Sequence, residues 1–126
     1  METQFVIFDT NIFIHWFRND ESTLKKILQI GTENMLIPSI VKMELLWGCE
    51  NKHELNVLSK RIAKYPLIHI DKKISVLAVS FIEKFKLSHS LSIPDAYIVA
   101  TAIAYDLPLF TYNRKDFKFL PNIHLI

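Results

Sequence analysis

Phe5-Val6-Ile7-Phe8-Asp9-Thr10-Asn11 is the stretch that decides the fold. Four consecutive apolar, β-favouring residues without alternation suit a strand buried on both faces, as in a parallel sheet covered by helices. The run stops at Asp9-Thr10-Asn11, three residues that favour turns and helix N-caps. A strand that ends in a cap feeds a helix, and the spacing places that helix over Ile12 to Phe17.

The same alternation continues outward. Asp20 or Ser22 caps a helix to about Ile30, where Gly31 terminates it. Met35-Leu36-Ile37 reads as a second strand closed by Pro38; Ser39 caps a helix through Trp47, and Gly48 stops it. Leu55, Leu58, Ile62 and Tyr65 recur at helical spacing from Lys52 onward, and Pro66 ends that helix. Leu67 to Ile70 reads as a third strand, Asp71 caps a long helix to about Phe85, and Ser88 to Ser92 reads as a loop. Pro94-Asp95 opens a helix reaching Tyr105. Leu109-Phe110 is a fourth strand, and His124 to Ile126 is a candidate fifth. This alternation predicts an α/β fold: one domain over residues 1–126, with a mainly parallel sheet of four to five strands flanked by helices.

The 126 residues suit one domain, and the hydrophobic half of the composition supplies a substantial core. Fifteen Lys and Arg against thirteen Asp and Glu leave a net charge of +2, which does not mark a dedicated, strongly basic nucleic-acid binder. A mean hydropathy of +0.18 leaves room for apolar surface that meets a partner. The single cysteine, Cys49, cannot form an internal disulfide and points to a reducing compartment. Met1-Glu2-Thr3-Gln4 lacks the basic start of a secretion signal. The longest apolar run, Ala96 to Tyr105, is too short to span a bilayer. The expectation is a soluble, cytoplasmic protein that does not engage a membrane.

In parallel α/β sheets the functional crevice lies at the carboxyl ends of the strands. Asp9 comes directly off the first strand, where a helix cap would also account for it. Glu44 has Ile40, Val41, Trp47 and Gly48 one turn away, so it lies on the apolar stripe of its helix. A carboxylate there is costly unless compensated, and both a cation and a paired Arg or Lys are open. Asp95 sits in the first turn of an almost wholly apolar helix, a position the helix dipole favours. Asn113 and Asp116 follow the fourth strand. Acids gathered at one rim repel one another without a cation, and magnesium takes such hard oxygen ligands. The spacing of His and Cys residues does not suit zinc.

At these residues the chain resembles the PIN-domain nucleases and, among them, the ribonuclease toxins of the VapC type. The blocks are Phe8-Asp9-Thr10-Asn11, Ser39 to Leu45 with Gly48, Pro94-Asp95 to Ala102, and Leu107 to Asn113 with Asp116-Phe117. They span essentially the whole chain in order. The resemblance implies a homodimer, Mg²⁺- or Mn²⁺-dependent cleavage of RNA, and inhibition by a cognate antitoxin. It makes Asp9 and Asp95 metal ligands and Glu44 a support or base. The fourth position holds an amide, Asn113, where many relatives carry an acid, which leaves Asn113 and Asp116 both as candidates. Arg114 and Lys115, with Lys118, are candidates to steer phosphates, although a solvated loop would read alike. A PIN-domain nuclease of RNA processing or decay, or an inactive PIN-like binding module, would share these features. Trp16, Trp47 and Phe81 read as core or dimer packing rather than base-stacking platforms.

Overall fold

The computed structural model describes residues 4–126; Met1 to Thr3, and with them most of the segment read as leaderless, lie outside the described residues. Val6–Phe8 (β1) is buried throughout and has a strand on each side. Met35–Pro38 (β2) pairs with it in parallel through Val6–Met35 and Ile7–Leu36. Leu109–Phe110 (β4) pairs on the other edge through Ile7–Leu109 and Phe8–Phe110, again in parallel. Leu67–Ile68 (β3) extends the sheet beyond β2, giving the order β3-β2-β1-β4. A strand hemmed in by neighbours and covered on both faces has no position for a polar side chain, which is why β1 is uniformly apolar.

The helices are Thr10–Phe17 (α1), Glu21–Ile30 (α2), Ser39–Trp47 (α3), Lys52–Ile62 (α4), Lys72–His89 (α5), Ile93–Ala104 (α6) and Arg114–Phe117 (α7), with a 3-10 turn at Thr32–Asn34. Asp20, Asn51, Asp71 and Ser92 each accept a first-turn backbone N–H. Each such cap stabilises its helix by about 1 kcal/mol. Gly31 ends α2 at φ 89, and a Cβ there would run into the Glu33 carboxylate. In α6, Ala96, Ile98, Val99, Ala100, Thr101 and Ala102 are all buried, and the small residues let α5 lie close against it. Phe8, Phe13 and Phe117 are fully buried, and truncating any of them to Ala would cost about 3–5 kcal/mol.

The expected architecture holds, with differences in extent. The α3 helix begins at Ser39 with Pro38 in the cap position and no side-chain cap bond, so Ser39 is the first helical residue rather than the cap. The α4 helix stops at Ile62, three residues before Tyr65. The third strand is cut to Leu67–Ile68, because Ile70 already emerges into solvent. The α5 helix runs on to His89 and stops at Ser90, whose φ of 54 is left-handed, so the expected loop shrinks to Ser90–Ser92. Residues 114–117, read as loop, form α7, which is pinned by Phe117. The candidate fifth strand is a single parallel bridge, Leu109–Leu125. Trp47 is 91% exposed and belongs to no core, whereas Phe81 is buried and Trp16 packs against the core as expected.

Candidate active site

Because β1 and β4 are in register at Phe8–Phe110, the next residue of each strand, Asp9 and Thr111, must stand side by side at the carboxyl edge. The Asp9 amide donates to the Phe110 carbonyl at 3.0 Å, carrying the pairing one residue further. The Thr111 hydroxyl donates to Asp9 Oδ2 at 2.7 Å, and both residues are buried. Asp9 Oδ1 accepts the Thr10 backbone N–H at 2.7 Å, so Asp9 also caps α1. Asn11 Nδ2 lies 3.4 Å from both Asp9 Oδ2 and Thr111 Oγ1. The Asn11 side-chain carbonyl accepts the Tyr112 backbone N–H at 3.2 Å. The Asp-Thr-Asn turn thus locks the first strand's exit to the fourth's.

Glu44 reaches the same edge from α3, where the Thr10 hydroxyl donates to Oε1 at 2.8 Å. Asp95 arrives in the first turn of α6, with its backbone N–H on Ser92 Oγ at 3.2 Å. Burial raises the proton affinity of all three acids, and their mutual repulsion adds to it. Asp9 is raised by desolvation despite its bonds from Thr111 and Thr10, with the Glu44 charge pushing further. Glu44 is raised by desolvation against the Thr10 bond, with Asp95 adding repulsion. Asp95 is pushed up to about 6 by desolvation, then by Asp9 and more weakly by Asp116. The fields tie Asp9, Glu44, Asp95 and Asp116 into one electrostatic unit.

The fourth edge is looser. Asn113 is exposed and stands before α7 without a side-chain cap bond; its backbone N–H donates to Thr111 Oγ1 at 2.9 Å. Asp116 is exposed but lies within the field of Asp95. Arg114 and Lys115 are exposed on α7. Three hydroxyl or amide groups, Thr10, Asn11 and Thr111, proved to be the partners of the acids. The sequence held one usable signal for Thr111: it follows β4 just as Asp9 follows β1.

The donor set is carboxylate, hydroxyl and amide oxygen, the hard ligands that magnesium or manganese takes. Among the described residues no three His, Cys, Asp or Glu side chains stand close enough together to hold a metal ion by themselves. An open set with one or two firm carboxylates fits a cation that keeps much of its water.

A parallel α/β sheet with Asp9, Glu44 and Asp95 gathered at its carboxyl edge sets the class as α/β proteins with an acidic centre at the strand ends. The chain belongs to the PIN domain family, whose model matches residues 6–121. It is 30% identical over 132 aligned positions to Ribonuclease VapC of Rickettsia bellii, covering 96% of this chain and 94% of that protein. It is 27% identical to Ribonuclease VapC1 of Methanocaldococcus jannaschii, covering 95% of this chain and 84% of that one. A solved toxin–antitoxin complex from Klebsiella pneumoniae contains a chain of the same fold, with TM-score 0.78 and 27% identity over 96% of this chain and 95% of that one. The family resemblance drawn from the four sequence blocks therefore holds.

Proposed function

We propose that this chain is a Mg²⁺-dependent endoribonuclease, with Mn²⁺ able to substitute, acting as the toxin of a toxin–antitoxin module. The observation that carries the reading is the gathering of three acids at one sheet edge: Thr10 bonds both Asp9 and Glu44, and Asp95 lies near enough for the acids to raise one another's proton affinity. Carboxylates held together at such a cost have a use for added positive charge. Asp9 and Asp95 would hold the metal, and Asp116 or Asn113 would complete its surroundings. Bound there, the cation would supply Lewis-acid stabilisation of the phosphate and acidify a water molecule. Glu44, with its raised proton affinity, accepts the proton of the attacking water, while the Thr10 hydroxyl fixes its orientation. Thr111 and Asn11 hold Asp9 in a single orientation before substrate arrives. Arg114 and Lys115 steer the RNA backbone.

Two surfaces support the partner readings. A groove lined by Ile14, Phe17, Arg18, Leu45 and Leu58 also includes Thr10 and Glu44, and an antitoxin segment seated there would cover Glu44. Met43, Trp47, Val79 and Ile93 leave apolar side chains exposed on α3, α5 and α6, a face for a second copy of the chain. No helix among the described residues is long and apolar enough to cross a membrane, in keeping with a cytoplasmic enzyme.

The test is cleavage of RNA by the purified chain. Cleavage should require Mg²⁺ or Mn²⁺, stop with EDTA, and be lost in Asp9→Asn with its thermal melt little changed. Cleavage that persists in EDTA, or in Asp9→Asn, would overturn the assignment.

A further inference from the structure

Between Thr111, which holds Asp9, and Asn113 stands Tyr112, a half-buried residue whose side chain leaves the site altogether. Its phenol oxygen pairs with the Thr23 hydroxyl on α2, 89 residues away in sequence. Thr23 is fully buried, and its hydroxyl also lies 2.5 Å from Asp20 Oδ2, the N-cap of α2. Protons fix the direction of this chain. An ionised Asp20 only accepts, so Thr23 gives its one proton to Asp20 and must accept from Tyr112. The Thr23 bond is the leading reason that Asp20 is held below its ordinary proton affinity, with His15 and Lys26 assisting, which keeps Asp20 in the accepting form. The result is a one-way chain, Tyr112 to Thr23 to Asp20, in which each bond polarises the next. Around the ring, Phe110 and His15 pack edge-on, and the Lys26 ammonium lies 4.9 Å from its centroid.

The segment this chain holds has little regular structure of its own. The β4 strand is two residues long and α7 is four, too short to be stable alone. Apart from the Tyr112 phenol, the turn is tied down by the Tyr112 backbone N–H to Asn11, by the Thr111 hydroxyl between Asp9 and the Asn113 amide, and by the Thr111 N–H to the Ile126 carbonyl. We propose that Tyr112 is a positioning residue, whose phenol anchors the Thr111–Asn113 turn to α2 and so fixes the fourth side of the acidic site. The inference rests on the proposed nuclease reading for its catalytic arm but not for its structural arm.

The experiment uses the full chain and the variants Tyr112→Phe, Thr23→Val, Thr23→Ser and the Tyr112→Phe/Thr23→Val pair. By hydrogen exchange, Tyr112→Phe should speed exchange of the Asn113 amide roughly fivefold to tenfold, the effect of one hydrogen bond. Core amides such as Ile7 should change by less, whereas a general loss of stability would move both alike. In RNA cleavage the same variant should lower kcat by a similar factor with KM held. Thr23→Ser should match the wild type, and the pair should lose no more than Thr23→Val alone. An unchanged Asn113 amide, a uniform change across the chain, or losses that add in the pair would overturn the anchor. If the wild type cleaves no RNA, the nuclease reading fails, and the exchange data decide the anchor alone.

Discussion

Replacing Asp95 by Asn should stabilise the metal-free chain at neutral pH, although it removes a residue placed at the heart of the site. The carboxyl group binds its proton with a pKa of about 6 in the folded chain, against an ordinary value of 3.8. Between those values the folded chain holds more protons than the unfolded one, so stability falls as pH rises through the window. The deficit is absent near pH 4 and complete above about pH 6. That gap sets a ceiling of about 3 kcal/mol. Asp95 is only partly buried, and solvent screening reduces the figure to roughly 1 kcal/mol. Loss of a favourable charge in the first turn of α6 returns about 0.5 kcal/mol. The net gain of the order of 0.5 kcal/mol corresponds to a melting temperature higher by about 1–3 °C. Thermal melts by circular dichroism in EDTA, from pH 4 to 7.5, measure it. The difference should be near zero at pH 4 and grow with pH; on adding Mg²⁺ the wild type should gain more than the variant. A variant destabilised by more than about 1 kcal/mol at pH 7.5 in EDTA would refute the reasoning, as would a difference that does not change with pH.

Three other outcomes follow from the same geometry. Thr111→Val removes a buried donor from Asp9 and an acceptor from the Asn113 amide, and should cost about 1–3 kcal/mol by urea unfolding. Trp47→Glu changes a side chain that is 91% exposed on the face proposed for a second copy; if that face pairs two chains, sedimentation should shift from dimer to monomer with the fold intact by circular dichroism. Arg114→Ala with Lys115→Ala should raise KM for RNA and flatten the salt dependence by about 1.4 in log–log slope, as loss of two phosphate contacts requires, with kcat held.

The parts of the fold legible in the sequence are those where burial leaves one option. β1 could be read from Val6-Ile7-Phe8 because both of its faces and both of its edges are covered. The caps at Asp20 and Asp71 could be read because a side-chain oxygen before an apolar run has a local job, whereas Ser92, also a cap, reads as the end of a loop. The last turn of α5 could not, since Leu87 is exposed and Lys86, Ser88 and His89 carry no apolar period. The short α7 could not either, because its helicity depends on Phe117 finding the core from a charged segment. In the site, Asp9, Glu44 and Asp95 announce themselves as acids in apolar settings. Thr10 does not, and Thr111 is marked only by its place after β4, because a hydroxyl's partner is decided by strand register and helix docking. The pairing of Tyr112 with Thr23 lies further out of reach, since it joins two elements that never alternate in any sequence pattern.

Asp9 and Asp95, with Glu44 beside them, are proposed to form one cation site. Crystals of the full chain soaked in Mn²⁺ and measured at the manganese edge test it most directly. An anomalous peak should stand at ligand distance from carboxylate oxygens of both Asp9 and Asp95 and be lost in Asp9→Asn. A saturating soak that leaves this edge of the sheet without a peak, or a peak that survives Asp9→Asn unmoved, would contradict it.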